Sequence, residues 1–150
     1  MIFRPALLVL LGTVLAAAEL PLSGTWTAAK PAMPADATVV LAMYDRNGTC
    51  CGGPAAALAG LGNLRVALAD KPGITLIAVD VTAEATTESA TAAAALHHTD
   101  GIPLLVDAPR ATAKALQVEL EMTMTYVIRH SDGTQDVVFS PNQVKKKIGI

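Results

Sequence analysis

Residues Thr38–Pro54 read TVVLAMYDRNGTCCGGP, an apolar run that carries the chain's two cysteines toward the start of a helix. Thr38–Tyr44 is almost uninterruptedly apolar and rich in β-branched residues, the pattern of a central strand buried on both faces. After Ala55, Leu58, Leu61, Leu64 and Leu68 recur at helical spacing and predict a helix over 55–68 with one apolar stripe. Pro54, with its φ preset and no N–H to leave unpaired, is the expected first helical residue. Gly52-Gly53 lets the backbone turn tightly just ahead of it. Cys50 and Cys51 therefore stand where a buried strand hands over to a helix N-terminus. The helix dipole and the free N–H groups of a first turn stabilise a thiolate and lower its pKa. A plain structural disulfide, or two small apolar residues in a tight loop, fits the same spacing.

Upstream, the N-terminus sets the expected compartment. Met1–Arg4 is a short positively charged start, Ala6–Leu15 an uncharged apolar run, and Ala16–Ala18 a small-residue cleavage site ahead of Glu19. This pattern predicts a secretory signal peptide over 1–18. The apolar run falls short of the about 20 residues that span a bilayer. An uncleaved anchor is the second reading, and membrane contact is expected only in that case. Export to a periplasmic or extracellular, oxidising space follows, where cysteines are oxidised or redox-active. Residues 19–37, rich in Pro, Ser, Thr and Ala, read as an N-terminal arm with a short edge strand near Gly24–Ala28. Trp26, the single tryptophan, is expected to pack that arm onto the body.

The 150 residues suit one domain of ordinary size, long enough to bury a core. A formal charge of −2 without a basic stripe argues against a nucleic-acid partner. Aromatic residues make up 3%, too few for a platform on which bases stack.

Downstream, Ile74–Val79 predicts a second buried strand ending at Asp80, and Thr82 is the expected cap of a helix reaching Leu96. His97 and His98 fall at that helix's C-terminal end, where adjacent side chains diverge and chelate a metal poorly. Ile102–Val106 predicts a short strand, and Asp107 the cap of a helix running to about Val118. Thr123–Ile128 and Thr134–Phe139 predict two antiparallel strands joined at Ser131-Asp132-Gly133. Ser140-Pro141 opens a last helix with Lys145, Lys146 and Lys147 in its final turn. The order β-α-β-α-β-α-β-β-α predicts an α/β domain over 38–150. It is a three-layer α/β/α sandwich on a mixed, mostly parallel sheet with a C-terminal antiparallel hairpin.

That order, a cysteine after the first long strand, Ile102-Pro-Leu-Leu-Val-Asp107, Ala113–Val118 and Thr125-Tyr-Val-Ile128 before Asp132-Gly133 together carry a family likeness. From Thr38 onward the chain resembles the thioredoxin-like superfamily. It is most similar to the exported branch holding alkyl hydroperoxide reductase/thiol-specific antioxidant proteins and the thiol–disulfide oxidoreductases of cytochrome c maturation. The resemblance implies catalytic roles for Cys50 and Cys51, substrate contacts at Gly52, Gly53, Pro54 and Thr123, and no cofactor. It also implies a protein or small molecule as disulfide or thiol partner. Two departures stand out. Relatives that exchange disulfides space their cysteines as Cys-x-x-Cys, whereas Gly53 or Pro54 holds the second position here. The cis-proline of the family falls on Thr123, where a cis bond would cost ~3 kcal/mol. Adjacent residues have Cα atoms about 3.8 Å apart, against the ~4.4–6.8 Å that disulfides favour. A Cys50–Cys51 bridge is therefore expected to be strained and comparatively oxidising.

Four functional readings follow. In the first, a thiol–disulfide oxidoreductase, Cys51 attacks a substrate disulfide or sulfenic acid and Cys50 or a partner thiol resolves the mixed disulfide. In the second, a one-cysteine peroxidase, Arg46 and Arg129 would serve electrostatically. Asn47 and Gly48, three residues before Cys50 and Cys51, lack the hydroxyl usual there. The third is a Cu(I) carrier using Cys50, Cys51, Met122 and Met124, since soft sulfur ligands favour Cu(I). Met122 and Met124, two apart, would share one strand face. Copper chaperones of cytochrome oxidase share the fold, but their histidine position falls near Glu121. The plainer account of the methionines is core filling. The fourth reading is a redox-degenerate binding module.

Overall fold

A computed structural model describes residues 19–150, so the signal peptide expected over 1–18 lies outside the described residues. Six strands and four helices follow in order: β1 (Thr25–Trp26), β2 (Thr38–Tyr44), α1 (Gly53–Leu68), β3 (Ile74–Asp80), α2 (Thr87–Leu96), β4 (Leu104–Val106), α3 (Ala111–Ala115), β5 (Met124–Arg129), β6 (Gln135–Val138) and α4 (Pro141–Ile148). They form one mixed sheet in the order β1-β4-β3-β2-β5-β6.

The apolar run Thr38–Tyr44 is central, as its composition predicts. It pairs in parallel with β3 from Thr38 opposite Ile74 to Tyr44 opposite Asp80, and antiparallel with β5. Alternation along β2 divides the core between two faces. Val40, Ala42 and Tyr44 meet the Leu58, Leu61, Leu64 and Leu68 stripe of α1, together with Ala90 and Ala94 of α2 and Val144 of α4. Val39, Leu41 and Met43 face the other way, against Ala113 and Leu116 and the arm residues Leu20, Leu22, Trp26 and Met33. Each fully buried leucine contributes on the order of 1.5–3 kcal/mol. Trp26 thus packs the arm on the body as expected, and β1 is the short edge strand, antiparallel to β4.

The parallel part of the sheet is limited to β2, β3 and β4, while β5 runs antiparallel to β2 and to β6. The reason lies in α3. A helix from Ala111 to Ala115 rises only about 7 Å. It leaves the chain at the end of the sheet where β4 stops, so β5 enters from that end and runs back. The helix expected to reach Val118 therefore ends at Ala115. Asp107 still supplies its cap, from four residues upstream: its carboxylate accepts from the N–H groups of Ala111 (3.0 Å) and Thr112 (2.8 Å).

Thr82 is not the cap of α2. Its hydroxyl accepts the Arg46 N–H at 2.8 Å, and the helix starts one turn later in a Thr86–Ser89 capping box. Tertiary demand on one threonine and a better cap at Thr86 shift the helix start. Ser140 caps α4 by accepting the Gln143 N–H, with Pro141 in the first turn, as the sequence predicts. Gly60 of α1 has a packing role as well: a Cβ there would sit 3.2 Å from Pro141 Cγ, so its absence lets α4 lie close.

Candidate functional site

The loop leaving β2 is tied down before it reaches the cysteines. The Arg46 side chain donates through Nε to Asp80 Oδ2 at 2.8 Å and through Nη2 to Ser89 Oγ at 3.0 Å. Asp80 is fully buried at the end of β3, so this pair joins the loop to the sheet and to α2. Next to it, Asp45 donates its N–H to the Thr123 carbonyl at 3.1 Å and accepts Arg110 Nη2 at 2.8 Å on Oδ2. Gly48 then passes so near Thr123 that a Cβ would lie 2.8 Å from Oγ1 and 3.2 Å from Cα. A side chain there would force Thr123 aside.

Cys50–Gly52 forms a 3-10 turn that leads directly into α1. Cys50 and Cys51 are joined by a disulfide across adjacent residues, with Cα atoms 3.8 Å apart. The Cys50 carbonyl accepts the Thr123 hydroxyl at 2.8 Å and the Gly53 N–H as well. Cys51 has φ 61° and ψ 38°, in the left-handed region, which costs a residue with a Cβ roughly 1–2 kcal/mol. Gly52 continues the left-handed path at φ 90° without that cost. The result presents Cys51 to solvent and leaves Cys50 half-buried. Met122 Sδ lies 3.8 Å from Cys50 Sγ, a sulfur–sulfur contact in which neither atom carries a hydrogen.

The Met122-Thr123 ridge separates two depressions. One, of about 260 Å3, is lined by Cys51, Gly60, Met124, Tyr126, Phe139 and Pro141 and is mainly apolar. The other, of about 250 Å3, is lined by Asp45, Asn47, Gly48, Cys50 and Glu121 and is mainly polar. Each cysteine thus opens on a different chemical surface. The Tyr126 hydroxyl is buried without a hydrogen-bond partner among the described residues, and burial pushes its phenol well above the ordinary range. It stays neutral and can donate.

The structure brings Cys50, Cys51, Met122, Thr123 and Met124 together at one ridge, while Gly52, Gly53 and Pro54 carry the turn into α1 and line neither depression. Thr123 is buried, and its hydroxyl is engaged by the carbonyl of the cysteine turn. No cis peptide occurs among the described residues; the bond before Thr123 is trans. The Gly53 N–H is likewise already engaged. Met122 and Met124 both border the apolar groove, although β5 begins only at Met124. The arginines of the peroxidase reading are not at the cysteines. Arg46 is bound to Asp80, and Arg129 lies opposite Val39 at the far end of the sheet. His97 and His98 end α2, and no group of three His, Cys, Asp or Glu side chains placed to hold a metal ion occurs among the described residues. Sequence reasoning missed Asp45, Arg110 and Tyr126. The dipeptide Asn47-Gly48, a common turn pair, is the one local signal in the sequence for the close approach at Gly48.

No protein-family model matches the sequence, and no curated protein matches it. Solved structures do match. One is a secreted Mycobacterium tuberculosis disulfide oxidoreductase homologous to E. coli DsbE, with TM-score 0.57, 16% identity, and 77% of this chain aligned to 82% of that one. A thiol–disulfide oxidoreductase from Bacteroides fragilis aligns with TM-score 0.58, 14% identity, and 77% and 82% of the two chains. StoA from Bacillus subtilis aligns with TM-score 0.56, 12% identity, and 74% and 81%. The chain has the thioredoxin-like fold, and its structural neighbours include thiol–disulfide oxidoreductases with that fold.

Proposed function

We propose that the protein is an exported thiol–disulfide oxidoreductase whose redox centre is the adjacent pair Cys50–Cys51. The observation that carries this reading is the disulfide itself, set at the N-terminus of α1 with Cys51 exposed beside an apolar groove. The fold of the neighbouring oxidoreductases supports it, as does the secreted nature of one of them. The signal-like N-terminus supports export, and no helix among the described residues is long and apolar enough to cross a membrane.

Access decides the direction of attack. A partner thiolate reaches exposed Cys51 Sγ, a partner–Cys51 bond forms, the Cys50–Cys51 bond breaks, and Cys50 leaves as a thiolate beside Met122. A second thiolate of the partner then attacks the partner's own sulfur in the mixed disulfide and releases Cys51. Two electrons have passed to the pair, which ends as two thiols after taking up two protons, and the partner ends as a disulfide. The reverse sequence reduces a partner disulfide, with Cys51 as nucleophile and Cys50 resolving. The α1 dipole favours whichever thiolate stands nearest its first turn. The partner is a protein or small molecule bearing a thiol or disulfide, with apolar groups suited to the groove beside Cys51.

A pH titration of thiols before and after mild reduction, with intact mass, tests this directly. Reduction should add two hydrogens and expose a thiol that titrates below the ordinary ~8.5. Cys51→Ser should abolish reduction of a model disulfide while the fold, read by circular dichroism, persists. Thiols that stay unreactive in the folded protein at every pH would overturn the reading.

The 3.8 Å contact between Met122 and Cys50 favours a second reading, a Cu(I) carrier in which the reduced cysteines and Met122, with Met124 nearby, hold the ion as cargo. Met122→Leu combined with Met124→Leu should then weaken Cu(I) binding and leave disulfide exchange intact. Unchanged Cu(I) affinity in that variant would remove the copper reading.

A further inference from the structure

A cavity of about 320 Å3 lies at the end of the sheet remote from the cysteines, between the start of β2, the end of β5 and the N-terminal arm. Its size reaches the lower bound, about 300 Å3, of pockets that hold small ligands. Leu20, Pro31, Met33 and Val39 give it apolar walls. Arg129 enters from β5 on the same sheet face as Val127, the face that the arm covers. Its Nη1 donates to the Gly133 carbonyl at 3.3 Å, but its Nε is buried with no hydrogen-bond partner.

A buried guanidinium nitrogen without an acceptor is rare in folded proteins and calls for a cause. Among the described residues no carboxylate pairs with it. Glu19 is the one acidic residue lining the cavity, and it is exposed and forms no ion pair among the described residues. Residues 1–18 contain neither Asp nor Glu. Lys30 and His130 also line the cavity, so the charge around its mouth is mainly positive, although His130 is itself turned to Asp136 at 2.7 Å. A guanidinium presents a planar fork of donors that matches a carboxylate.

We propose that this cavity binds a small amphipathic carboxylate. Its acid group lies on Arg129 with help from Lys30, and its apolar chain lies against Leu20, Met33 and Val39. The site is independent of the cysteine chemistry.

Octanoate is a suitable probe, with octanamide as its uncharged counterpart, titrated into the mature protein. Calorimetry reads affinity and the Arg129 guanidinium resonance reads the contact. Saturable octanoate binding should shift that resonance, octanamide should bind at least about tenfold more weakly, and Arg129→Gln should lose at least about tenfold in affinity. Lys30→Gln alters an exposed residue and should weaken binding severalfold without affecting the fold. Absence of saturable binding to the folded wild type would overturn the proposal. So would equal affinity for octanoate and octanamide, or an Arg129→Gln variant that folds and binds as well as the parent.

Discussion

At Cys51 a residue with a Cβ accepts a left-handed backbone because two other residues hold the turn in place. Thr123 grips the Cys50 carbonyl with its hydroxyl, and Gly48 leaves room for Thr123. Gly48→Ala should therefore destabilise the protein by about 1–3 kcal/mol, the range for overpacking. It should also slow disulfide exchange, because Thr123 must yield and release the turn. Chemical denaturation and a model-disulfide assay check both effects; full stability in the alanine variant would contradict this account of Gly48. The cysteines, the glycines and Thr123 can all be read in the sequence as belonging near a helix N-terminus. The bond between Thr123 and Cys50 cannot, because it joins residues 73 positions apart. The sequence likewise gives no sign that Tyr126 borders the groove, since its place in β5 is that of any core residue.

Elements meet the site through Arg46. One guanidinium joins the loop after β2 to Asp80 at the end of β3 and to Ser89 in α2. Asp80 is fully buried, so removing its partner leaves an uncompensated charge, a loss typically worth about 3–5 kcal/mol. Arg46→Leu should be destabilising on that scale, and replacing both residues by apolar ones should recover much of the loss; a double-mutant cycle in urea measures it. β2 and β3 were legible to the residue because continuous apolar runs mark strands buried on both faces. The start of α2 was less so. Thr82 and Thr86 are similar caps as isolated residues; the Ser89 that completes a capping box with Thr86, and the Arg46 N–H that occupies Thr82 from another segment, distinguish them.

At the scale of the molecule, Asp136 of β6 ties the C-terminal hairpin to α4. It accepts from His130 Nε2 at 2.7 Å and from Lys147 Nζ at 3.3 Å. The hydrogen bond from His130, followed by that from Lys147, outweighs partial burial and holds the Asp136 carboxyl below its ordinary value. A carboxyl whose folded-state pKa is depressed contributes stability above its unfolded pKa, and that contribution is lost as pH falls through the folded value. Asp136→Asn should therefore lower the melting temperature at neutral pH, and the gap from the parent should close below the ordinary carboxylate range. A gap that persists undiminished in acid would show that the ion-pair cluster is not its source.

Local reading of the chain places the order of the secondary elements, the two-sided burial of the central strand, the cysteine pair before α1, and the likeness to thioredoxin-like proteins, but not the start of α2 or the end of α3. Those features rest on local periodicity, turn chemistry and capping, which act over a few residues. Packing between distant segments sets the antiparallel return of β5, the division of an apolar groove from a polar one by the cysteine ridge, and the place of Arg129 in a cavity under the arm. These depend on how a five-residue α3, the arm and the sheet pack together. Contacts between segments far apart in the chain leave no local periodicity to read.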